Sequence, residues 1–553
     1  MRDLGYAAWY DPDAWLETMS GPRWQAVLRD ENNRINSFSK NLVIKDEYHH
    51  NTSPNFICGP LRIAPAESMN MKWDWFGDIH YSKDVFANKK GVWFIHDVGH
   101  GAEVYQIDYK PYGQKKTSWS IKPVGQKVAV KGSRCYYLGV MKKLWYNELW
   151  SCDAETGEDK ILIYKELNPE IVLDIVMGID KIYMTQENSQ DLTWWLIEDY
   201  KITRASAPEK TWANLKIEYE HGAIILKKGS KKLIEIPAGK ILIDPWAVYE
   251  NRNNANIIIQ QPHQENYWLS YSKLTNKLTV LENPSRSDLQ FIEGRSSNGT
   301  RFIVVMKENL QKPKRLLITG YGAYGLMTAT QYARIHWNPL IESEWAIAYT
   351  FLPGGGDHDE AYAKQARRDG RIKTIDSFLD CVKTIKSLFH IASENIVIYG
   401  RSAGGLLIGG SLTKYPDGSL FGGIFTEVPY LDELRTTTNT SLPLTQLEYK
   451  EFGDPAHNLQ DFLSVGLLSP ADAAVGLKTP NVFVYAKTST NDSQVYTYEP
   501  VKWIRRLRQA SPNGLPKLLK VDFDTGHFTS PTRVARTSAI DCAILNTLVD
   551  KKY

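Results

Sequence analysis

A serine between two glycines, directly after a β-branched run, is the feature that most constrains how this chain can fold. The run Ile396–Tyr399 predicts a buried strand, Gly400-Arg-Ser-Ala-Gly404 follows it, and the small and apolar residues after that predict a helix. This order is typical of a nucleophile elbow, a sharp turn that holds a serine hydroxyl above the end of a sheet. We expect a clash if Gly400 or Gly404 carried a side chain. The bare motif also arises by chance, and it is the flanking strand and helix that favour the elbow.

Length and charge narrow the class of protein. The chain has 553 residues, which is too long for one ordinary domain. Its 42% hydrophobic and 23% charged residues are typical of a globular protein. The 66 basic and 63 acidic residues nearly balance, so the sequence gives no reason to expect a nucleic-acid or membrane partner.

The cysteines and the amino terminus predict a compartment. Five cysteines are scattered without a Cys-x-x-Cys pair, so neither a disulfide framework nor a zinc site is predicted. The amino terminus lacks the apolar stretch of a signal peptide, and no apolar run approaches the ~18 residues of a membrane span. We therefore expect a soluble, cytoplasmic protein without metal or cofactor. The glycosylation sequons are then chance matches; they begin at Asn51, Asn298, Asn439 and Asn491.

Changes of pattern divide the chain into three predicted parts. Residues 1–55 are polar and helix-like, with too few apolar residues for a domain, so we expect them to lie across a larger one. Residues 56–291 carry short β-rich runs between turn residues, which predicts an all-β domain. About five units of roughly 45 residues favour a β-propeller, and a pair of β-sandwiches is the alternative.

Residues 292–553 alternate strand-like and helical runs. Strands are predicted to begin near Arg315, Trp345, Asn395, Gly423, Asn481 and Leu518, and helices to span about 374–390, 404–415, 498–510 and 531–550. Apolar strands that alternate with amphipathic helices predict a mainly parallel sheet covered on both faces. A nucleophile elbow in such a sheet predicts an α/β-hydrolase domain.

The rest of a catalytic triad should follow Ser402, because α/β-hydrolases place an acid and then a histidine after the nucleophile. Asp492 follows the predicted strand 481–486 in a polar loop, and His527 follows the predicted strand 518–522. We expect His527 to take the proton of Ser402, and Asp492 to orient and stabilise the imidazole.

Rival candidates for these two roles are less well placed. His457 is the other histidine that follows Ser402, and no predicted strand directly precedes it. Asp522 and Asp524 are alternatives to Asp492, but both lie beside His527 at the same strand end.

An oxyanion site needs two hydrogen-bond donors. One should be the backbone N–H of Ala403, the residue after the nucleophile. The other should come from the loop Gly320-Tyr-Gly-Ala-Tyr-Gly325, where Tyr321 or Tyr324 offers a phenol. One such donor is typically worth ~3 kcal/mol of barrier. A glycine-rich turn with aromatic packing is the alternative interpretation.

A second glycine-rich loop, Pro353-Gly-Gly-Gly-Asp-His-Asp359, follows a predicted strand. Phosphate binding is possible in principle at such a loop. It lacks the Gly-Lys-Ser/Thr of a P-loop, so a tight turn beside the active site is the better interpretation.

These segments together resemble the prolyl oligopeptidase family, most closely its oligopeptidase B branch. The resembling stretches cover nearly all of 292–553 and include Gly320-Tyr-Gly-Ala-Tyr-Gly325, Gly354-Gly-Gly356, Gly400-Arg-Ser-Ala-Gly-Gly-Leu-Leu407, Glu427-Val-Pro-Tyr-Leu-Asp432, Ser441-Leu-Pro-Leu-Thr445, Asn491-Asp492, Tyr498-Glu-Pro-Val-Lys-Trp503 and Gly526-His527. Asp11-Pro-Asp-Ala-Trp-Leu-Glu17 resembles the family's amino-terminal segment.

The resemblance implies roles and an architecture. Ser402, Asp492 and His527 match the family's triad, and Tyr321 matches its oxyanion tyrosine. Residues 56–291 would be a propeller over the active site, reduced or irregular because the region is too short for the family's usual seven blades. Residues 1–55 would pack back onto the hydrolase domain.

Three departures from the family pattern concern substrate recognition. Gln494 stands where the family has an arginine, and Pro353 stands where an arginine precedes the glycine triplet. Glu448-Tyr-Lys450 replaces the Glu-x-Glu pair that receives basic P1 side chains in oligopeptidase B. We expect Lys450 to cancel most of the field of Glu448 and to weaken any preference for basic P1 residues. The alternative is that Lys450 points to solvent and Glu448 acts alone.

The sequence thus predicts a serine hydrolase that cleaves short peptides through an acyl-enzyme intermediate. An esterase or acyl transferase is the alternative enzyme, because the same acyl-enzyme chemistry serves both. An inactive propeller interaction protein is a further alternative, against which the complete triad argues. The sequence leaves the oligomeric state open.

Overall fold

The structure is a computed structural model of the chain. It describes residues 1–40, 42, 44, 56–58, 61–66, 70–75, 78–142, 145–168, 170–177, 181–188, 191–207, 211–212, 215–220, 223–228, 230–236, 249–250, 254–272, 274–275, 277–281, 287–328, 333–528 and 531–551. The predicted boundary at residue 55, the sequon at Asn51 and the side chain of Cys58 lie outside the described part.

The amino-terminal segment forms a small ribbon, a 3₁₀ helix and one long helix. Their bounds are β1 (Arg2–Asp3), β2 (Ala8–Trp9), a 3₁₀ helix (Ala14–Thr18) and α1 (Gly21–Ser39). Pro22 occupies the first turn of α1, where its fixed φ suits the helix and its missing N–H costs nothing. The buried residues of α1 recur at intervals of three or four and give it one packed face; they are Trp24, Leu28, Glu31 and Ile35.

The middle of the chain forms five antiparallel sheets, as the β-rich sequence pattern predicts. Their strands are β3 (Phe56–Cys58), β4 (Leu61–Ala66), β5 (Asn70–Trp75), β6 (Asp78–Ser82), β7 (Asp84–Ala87), β8 (Gly91–Asp97), β9 (Tyr105–Pro111), β10 (Trp119–Lys131), β11 (Arg134–Lys142), β12 (Trp145–Asp153), β13 (Ile161–Lys165), β14 (Val172–Met177), β15 (Ile182–Glu187), β16 (Leu192–Glu198), β17 (Lys201–Ala205), β18 (Thr211–Trp212), β19 (Leu215–Glu220), β20 (Ala223–Lys228), β21 (Lys231–Ile236), β22 (Tyr249–Glu250), β23 (Asn254–Gln261), β24 (Gln264–Ser272) and β25 (Lys277–Leu281).

Four of these sheets have four strands each, namely β3–β6, β14–β17, β18–β21 and β22–β25, and the fifth has the seven strands β7–β13. The long strand β10 joins the two halves of the seven-stranded sheet. Its first part pairs with β9 from Trp119 and its second part pairs with β11 up to Lys131, with register shifts between the two parts.

The remaining chain forms an α/β unit. Its strands and helices are β26 (Leu289–Arg295), β27 (Arg301–Lys307), β28 (Arg315–Thr319), α2 (Ala333–Glu342), β29 (Trp345–Phe351), α3 (Glu360–Lys364), α4 (Ile372–Phe389), β30 (Ile396–Arg401), α5 (Gly404–Lys414), β31 (Gly423–Glu427), α6 (Glu433–Thr437), α7 (Thr445–Phe452), α8 (Leu459–Leu468), α9 (Pro470–Gly476), β32 (Phe483–Ser489), α10 (Tyr498–Ala510), β33 (Lys517–Asp522) and α11 (Pro531–Val549).

One eight-stranded sheet organises this unit, in the order β26-β27-β29-β28-β30-β31-β32-β33. The six strands from β29 to β33 in that order pair in parallel, and β26 and β27 pair antiparallel at one edge. Helices cover both faces, with Phe378 and Ile504 in the core on one side and Leu340 and Leu545 on the other. This arrangement confirms the predicted α/β sheet.

The amino-terminal helix α1 lies against β33, the edge strand of the sheet. The side-chain amide of Asn32 donates to the carbonyl of Val521 at 2.9 Å, and its oxygen accepts from the N–H of Val521 at 2.9 Å. Asn32 thereby satisfies backbone groups of an edge strand that would otherwise need another partner. None of the helices in the described part of the chain is long and apolar enough to cross a bilayer.

A buried ion cluster fixes the residues before α1 onto α10. Lys502 is 0% exposed, and its ammonium contacts Asp11 at 3.0 Å, Glu17 at 2.6 Å and Asp432 at 2.7 Å. The pKa of Asp11 is lowered to about 2, because Lys502 and the hydrogen bond from Arg2 outweigh the effect of burial. Charges held this far from water require their partners, so the cluster specifies where the segment docks.

Replacing Lys502 with methionine should therefore destabilise the fold strongly. The change leaves Asp432 without its cation and removes one of the cations that Asp11 and Glu17 contact, and removal of one partner from a buried pair costs about 3–5 kcal/mol. Urea unfolding should show that loss. The control is Lys364→Met, which removes a mostly exposed i,i+4 pair with Glu360 and should cost about 0.5 kcal/mol or less. Equal effects of the two changes would contradict a structural role for the buried cluster.

Candidate active site

The strand β30 and the helix α5 meet at Ser402 in a strained turn. Ser402 has φ +54°, a left-handed conformation that side chains other than glycine rarely adopt. Its N–H donates to the carbonyl of Glu427 at 3.0 Å, and its carbonyl accepts from the N–H groups of Gly405 and Tyr430 at 2.8 and 2.9 Å. These three backbone contacts hold the turn against its strain.

The need for glycine in the elbow is confirmed at one position and corrected at another. A Cβ on Gly400 would lie 2.3 Å from the carbonyl oxygen of Gly404, so no side chain fits. A Cβ on Gly404 would meet nothing closer than 3.5 Å, an ordinary contact. The crowded glycine is instead Gly405, where a Cβ would approach the carbonyl oxygen of Tyr430 to 2.6 Å.

Asp492 and His527, which follow β32 and β33, lie in direct contact. The Nδ1 atom of His527 is 2.8 Å from Oδ2 of Asp492, and both residues are buried. The second oxygen, Oδ1, accepts from the backbone N–H groups of Gln494 and Val495, each at 2.9 Å. The two amides fix the carboxylate, so its other oxygen stays aimed at the imidazole.

Ser402 lies beside this pair. Arg401, the residue before it, donates to the carbonyl oxygen of His527. The Ser402 side chain is hydrogen bonded to the phenol of Tyr321. No hydrogen bond joins Ser402 to His527 within the described residues. His457, the alternative base, is mostly exposed and pairs with Asp454 at 2.9 Å.

The two candidate oxyanion donors flank the serine. Burial raises the pKa of Tyr321 to about 12, so its phenol keeps its proton at neutral pH and can donate it in a hydrogen bond. Ala403 is buried directly before α5, and within the described residues no acceptor is paired with its N–H. The phenol of Tyr324 is engaged elsewhere, since it donates to Glu448 at 2.8 Å.

The structure places Lys450 and Glu448 against different partners, as in the alternative that Lys450 points away from Glu448. The Lys450 ammonium lies 3.2 Å from Glu187 of the antiparallel region. Glu448 instead lies half-buried against Tyr324, and removal from water raises the pKa of Glu448 to about 7. Lys450 therefore does not neutralise Glu448 by direct contact, because its ammonium is paired with Glu187 of the antiparallel region.

A buried carboxyl, which sequence reasoning missed, lies near Glu448. Glu433 is 1% exposed, and its Oε2 atom has no hydrogen-bond partner. Burial raises the pKa of Glu433 to about 8, and the charge of Glu448 adds to the rise. Tyr430 and Phe452 pack beside these acids with ring centroids 5.7 Å apart. A cation already lies here: the guanidinium carbon of Arg371 is 5.4 Å from the centre of the Phe452 ring, and its charge opposes the rise in the pKa values of both acids.

Gln494 is held by an acid from the antiparallel region. Its side-chain amide donates to both oxygens of Glu103, at 3.0 and 3.1 Å, and the hydroxyl of Ser493 donates to the same carboxylate at 3.0 Å. Glu103 precedes β9, nearly 400 residues earlier in the chain, and no local sequence signal points to it. Gln494 therefore connects the loop of Asp492 to the other half of the molecule.

The loop 97–104 touches the histidine loop backbone to backbone. A Cβ on Gly526 would lie 1.5 Å from the carbonyl oxygen of Gly101, so both positions require the smallest residue. The ammonium of Lys83 lies 4.1 Å from the centre of the Phe528 ring, next to His527. Burial lowers the pKa of Lys83 to about 8. Among the residues described here, no group of three His, Cys, Asp or Glu is placed to hold a metal ion.

Part of the α/β unit matches a known protein family and several curated proteins. Residues 330–541 match the model described as the Prolyl oligopeptidase family. Protease 2 of Moraxella lacunata is 29% identical over 216 residues, which are 39% of this chain and 30% of that protein. Prolyl endopeptidase-like of Rattus norvegicus is 24% identical over 419 residues, 69% of this chain and 56% of that protein. The match thus spans less than two thirds of the length of either relative.

Solved structures show the same fold over nearly the whole chain. Oligopeptidase B from Leishmania major superposes with a TM-score of 0.76 at 16% identity, covering 98% of this chain and 94% of that one. Oligopeptidase B from Trypanosoma brucei, with antipain covalently bound, gives a TM-score of 0.74 at 16% identity, with the same coverage of both chains. At this identity the likeness concerns the fold.

The close approach of Gly526 to Gly101 predicts that Gly526→Ala loosens the contact between the two loops. The added methyl group must displace backbone, and overpacking of this kind costs about 1–3 kcal/mol. Amide hydrogen exchange in 97–104 and 524–528 should accelerate roughly fivefold to a hundredfold. The control is Gly476→Ala, where a Cβ meets nothing within 4 Å. Unchanged exchange in both loops of the first variant would contradict the contact.

Proposed function

Through residues 330–541 the chain belongs to the prolyl oligopeptidase family, and from this premise we propose that it is a serine peptidase acting on short peptides. Ser402 attacks the scissile carbonyl while His527 takes its proton, which gives an acyl-enzyme and an amine that receives the proton from His527. Water then attacks the acyl group while His527 takes its proton, and His527 returns that proton to the Ser402 oxygen as the carboxylic acid leaves. Asp492 holds the imidazole in the required tautomer and stabilises its charged form.

The observation that carries this proposal is the 2.8 Å contact of His527 with a carboxylate fixed by two backbone amides, beside a left-handed serine. The negative oxygen of the tetrahedral intermediate would be stabilised by the phenol of Tyr321 and the N–H of Ala403. Removal of one such donor typically costs ~3 kcal/mol of barrier, about two orders of magnitude in rate.

The proposed domains follow the changes in architecture. Residues 292–553 form the hydrolase domain, residues 56–291 a reduced propeller above it, and residues 1–55 a brace on the hydrolase domain. If β10 is counted in both halves of the seven-stranded sheet, the middle region holds six four-stranded units, a number compatible with a reduced propeller. A cap seated on the histidine loop would exclude folded proteins and admit short peptides.

Specificity in this proposal resides in Glu448 and Glu433. A basic P1 side chain would find these two carboxyls beside Tyr430 and Phe452, with Lys450 held away by Glu187. The cation would favour the ionised form of both acids and so lower the pKa values that burial has raised.

An esterase or acyl transferase is the second candidate, and Gln494 favours it. The neutral side chain stands where the family has a peptide-holding arginine, and it is bound to Glu103. Rates on matched ester and amide substrates with one acyl group distinguish the two, since only a peptidase cleaves the amide efficiently.

The Ser402→Ala variant tests the proposed nucleophile. We expect it to lose labelling by a fluorophosphonate probe and to reduce turnover by several orders of magnitude. The control is Ser441→Ala, which removes an exposed hydroxyl bound to Asn439 and should be labelled like the parent protein. Labelling of the Ser402→Ala protein would refute the assignment.

The raised pKa values of Glu448 and Glu433 predict a pH-dependent preference for basic P1 residues. Carboxyls with pKa values of about 7 and 8 are mostly neutral at pH 6 and become ionised as the pH rises. The ratio of kcat/KM for an Arg substrate to that for a Leu substrate should therefore rise about tenfold from pH 6 to pH 8. The titration of His527 affects both substrates and cancels in the ratio.

Two variants show which charge is responsible. Glu448→Gln should lower the ratio and flatten its pH dependence, whereas Lys450→Met should leave the ratio nearly unchanged because Lys450 pairs with Glu187. A marked rise of the ratio in Lys450→Met would support the cancellation predicted from the sequence and contradict the specificity proposed here.

A further inference from the structure

A positively charged cavity lies on the α/β unit, and its lining includes none of the candidate catalytic residues. It has a volume of about 260 Å³ and is formed by the end of β26, the start of β27, the loop after β29 and the first turns of α4. Its lining residues are Arg295, Asn298, Gly299, Thr300, Arg301, Phe351, Pro353, His358, Tyr362, Gln365, Lys373 and Ser377. No carboxylate belongs to this lining.

Two of the three cations in the cavity, Arg295 and Lys373, are exposed and unpaired among the described residues, and a neighbouring acid, Asp380, is bound behind the lining to the N–H of Asn298 at 2.8 Å. Arg301 is neutralised by a hydrogen bond to Glu293 at 2.6 Å. Arg295 donates one N–H to the carbonyl of Gly299 at 3.0 Å, and the described residues offer no carboxylate to it or to Lys373 within 4 Å. Arg295 therefore keeps four of its five N–H donors for another acceptor.

Neutral donors and a helix end add to the positive potential. Lys373 is the second residue of the 18-residue helix α4, whose amino-terminal end carries a partial positive charge. Ser377 lies one turn further along the same helix and accepts from the amide of Asn298 at 3.2 Å. The charge of Arg295 reaches Tyr362, where it opposes the rise in phenol pKa that burial causes.

We propose that this cavity binds a compact dianion, inorganic phosphate or a small dicarboxylate. Two unpaired positive charges match two negative ones, and the planar fork of an arginine suits the paired oxygens of a phosphate or carboxylate. The Ser377 hydroxyl lies at the same place, whereas the Tyr362 hydroxyl is committed to the carbonyl of Phe351 at 2.9 Å. The cavity has room for such an anion with bridging waters.

The wall of this cavity continues to the loop of Tyr321. Pro353 directly precedes the glycine triplet, and its carbonyl accepts from the hydroxyl of Thr374 on α4 at 2.9 Å. The next residue, Gly354, accepts from the N–H of Gly325 at 2.9 Å, and a Cβ on Gly354 would lie 2.2 Å from the carbonyl oxygen of Gly322. A bound anion would thus join β26 and α4 across a loop that directly supports the tyrosine loop.

Titration of the full chain with inorganic phosphate tests the proposal without any activity assay. Calorimetry and thermal unfolding should show saturable binding at constant ionic strength, with sodium chloride as the screening control. The double variant Arg295→Gln, Lys373→Gln should bind phosphate at least tenfold more weakly. The matched control is Lys383→Gln, which removes a cation from the same helix outside the cavity and should bind like the parent protein.

A second variant keeps the test decisive if the double variant is unstable. Lys373→Glu reverses a charge at an exposed position in the first turn of α4, where a carboxylate suits the helix end, so it should fold and lose phosphate binding at least tenfold. Malonate, titrated in parallel, separates the two sources of the dianion: tighter phosphate binding identifies a phosphate site, and tighter malonate binding a dicarboxylate site. Equal responses to phosphate, malonate and chloride, or unchanged binding in both cavity variants, would overturn the proposal.

Discussion

Parallel pairing in the eight-stranded sheet is the constraint on which the candidate active site depends. Because β30, β32 and β33 run in the same direction, their carboxyl ends meet at one edge, and the residues that follow them are brought together across 125 positions of sequence. Ser402 follows β30, Asp492 follows β32 and His527 follows β33. Ligand sites of open α/β sheets form at this edge for the same reason. The left-handed Ser402 is held there by backbone bonds to the neighbouring strand end.

The antiparallel region also reaches this edge, because three different kinds of contact place it on the loops of Asp492 and His527. Gly101 and Gly526 touch through their backbones, Glu103 binds Gln494, and Lys83 stacks on Phe528. Each contact involves a residue within two positions of Asp492 or His527. The placement of Asp492 and His527 therefore depends on the position of the antiparallel region. Burial lowers the pKa of Lys83 to about 8, which makes its contact with Phe528 sensitive to pH.

Elements with strong local periodicity were predictable from the sequence, and contacts across long chain separations were not. The helices α4, α5, α10 and α11 lie within two residues of their predicted bounds, because their apolar spacing and flanking strands are local signals. The elbow and the order of Asp492 and His527 were accessible for the same reason. The partner of Lys450 lies 263 residues away in the sequence and that of Gln494 lies 391, and nothing in either neighbourhood specifies them. The sequence predicts a required glycine at Gly404, but the structure requires one at Gly405. The reason is the backbone of Tyr430, which lies against Gly405 and is distant in the sequence.

Burial explains why a lysine next to a glutamate in sequence need not weaken it. Glu448 and Lys450 are two positions apart in a helix, and residues at that spacing project from different faces. Glu448 turns inward to Tyr324, where low polarity strengthens its interaction with any cation, while Lys450 turns outward to Glu187. The same low polarity raises the pKa of Glu448 and of its neighbour Glu433, while the charge of Arg371 opposes that rise at both carboxyls. A cationic substrate side chain near Glu448 and Glu433 would favour the ionised form of both carboxyls. It would thereby strengthen its own binding.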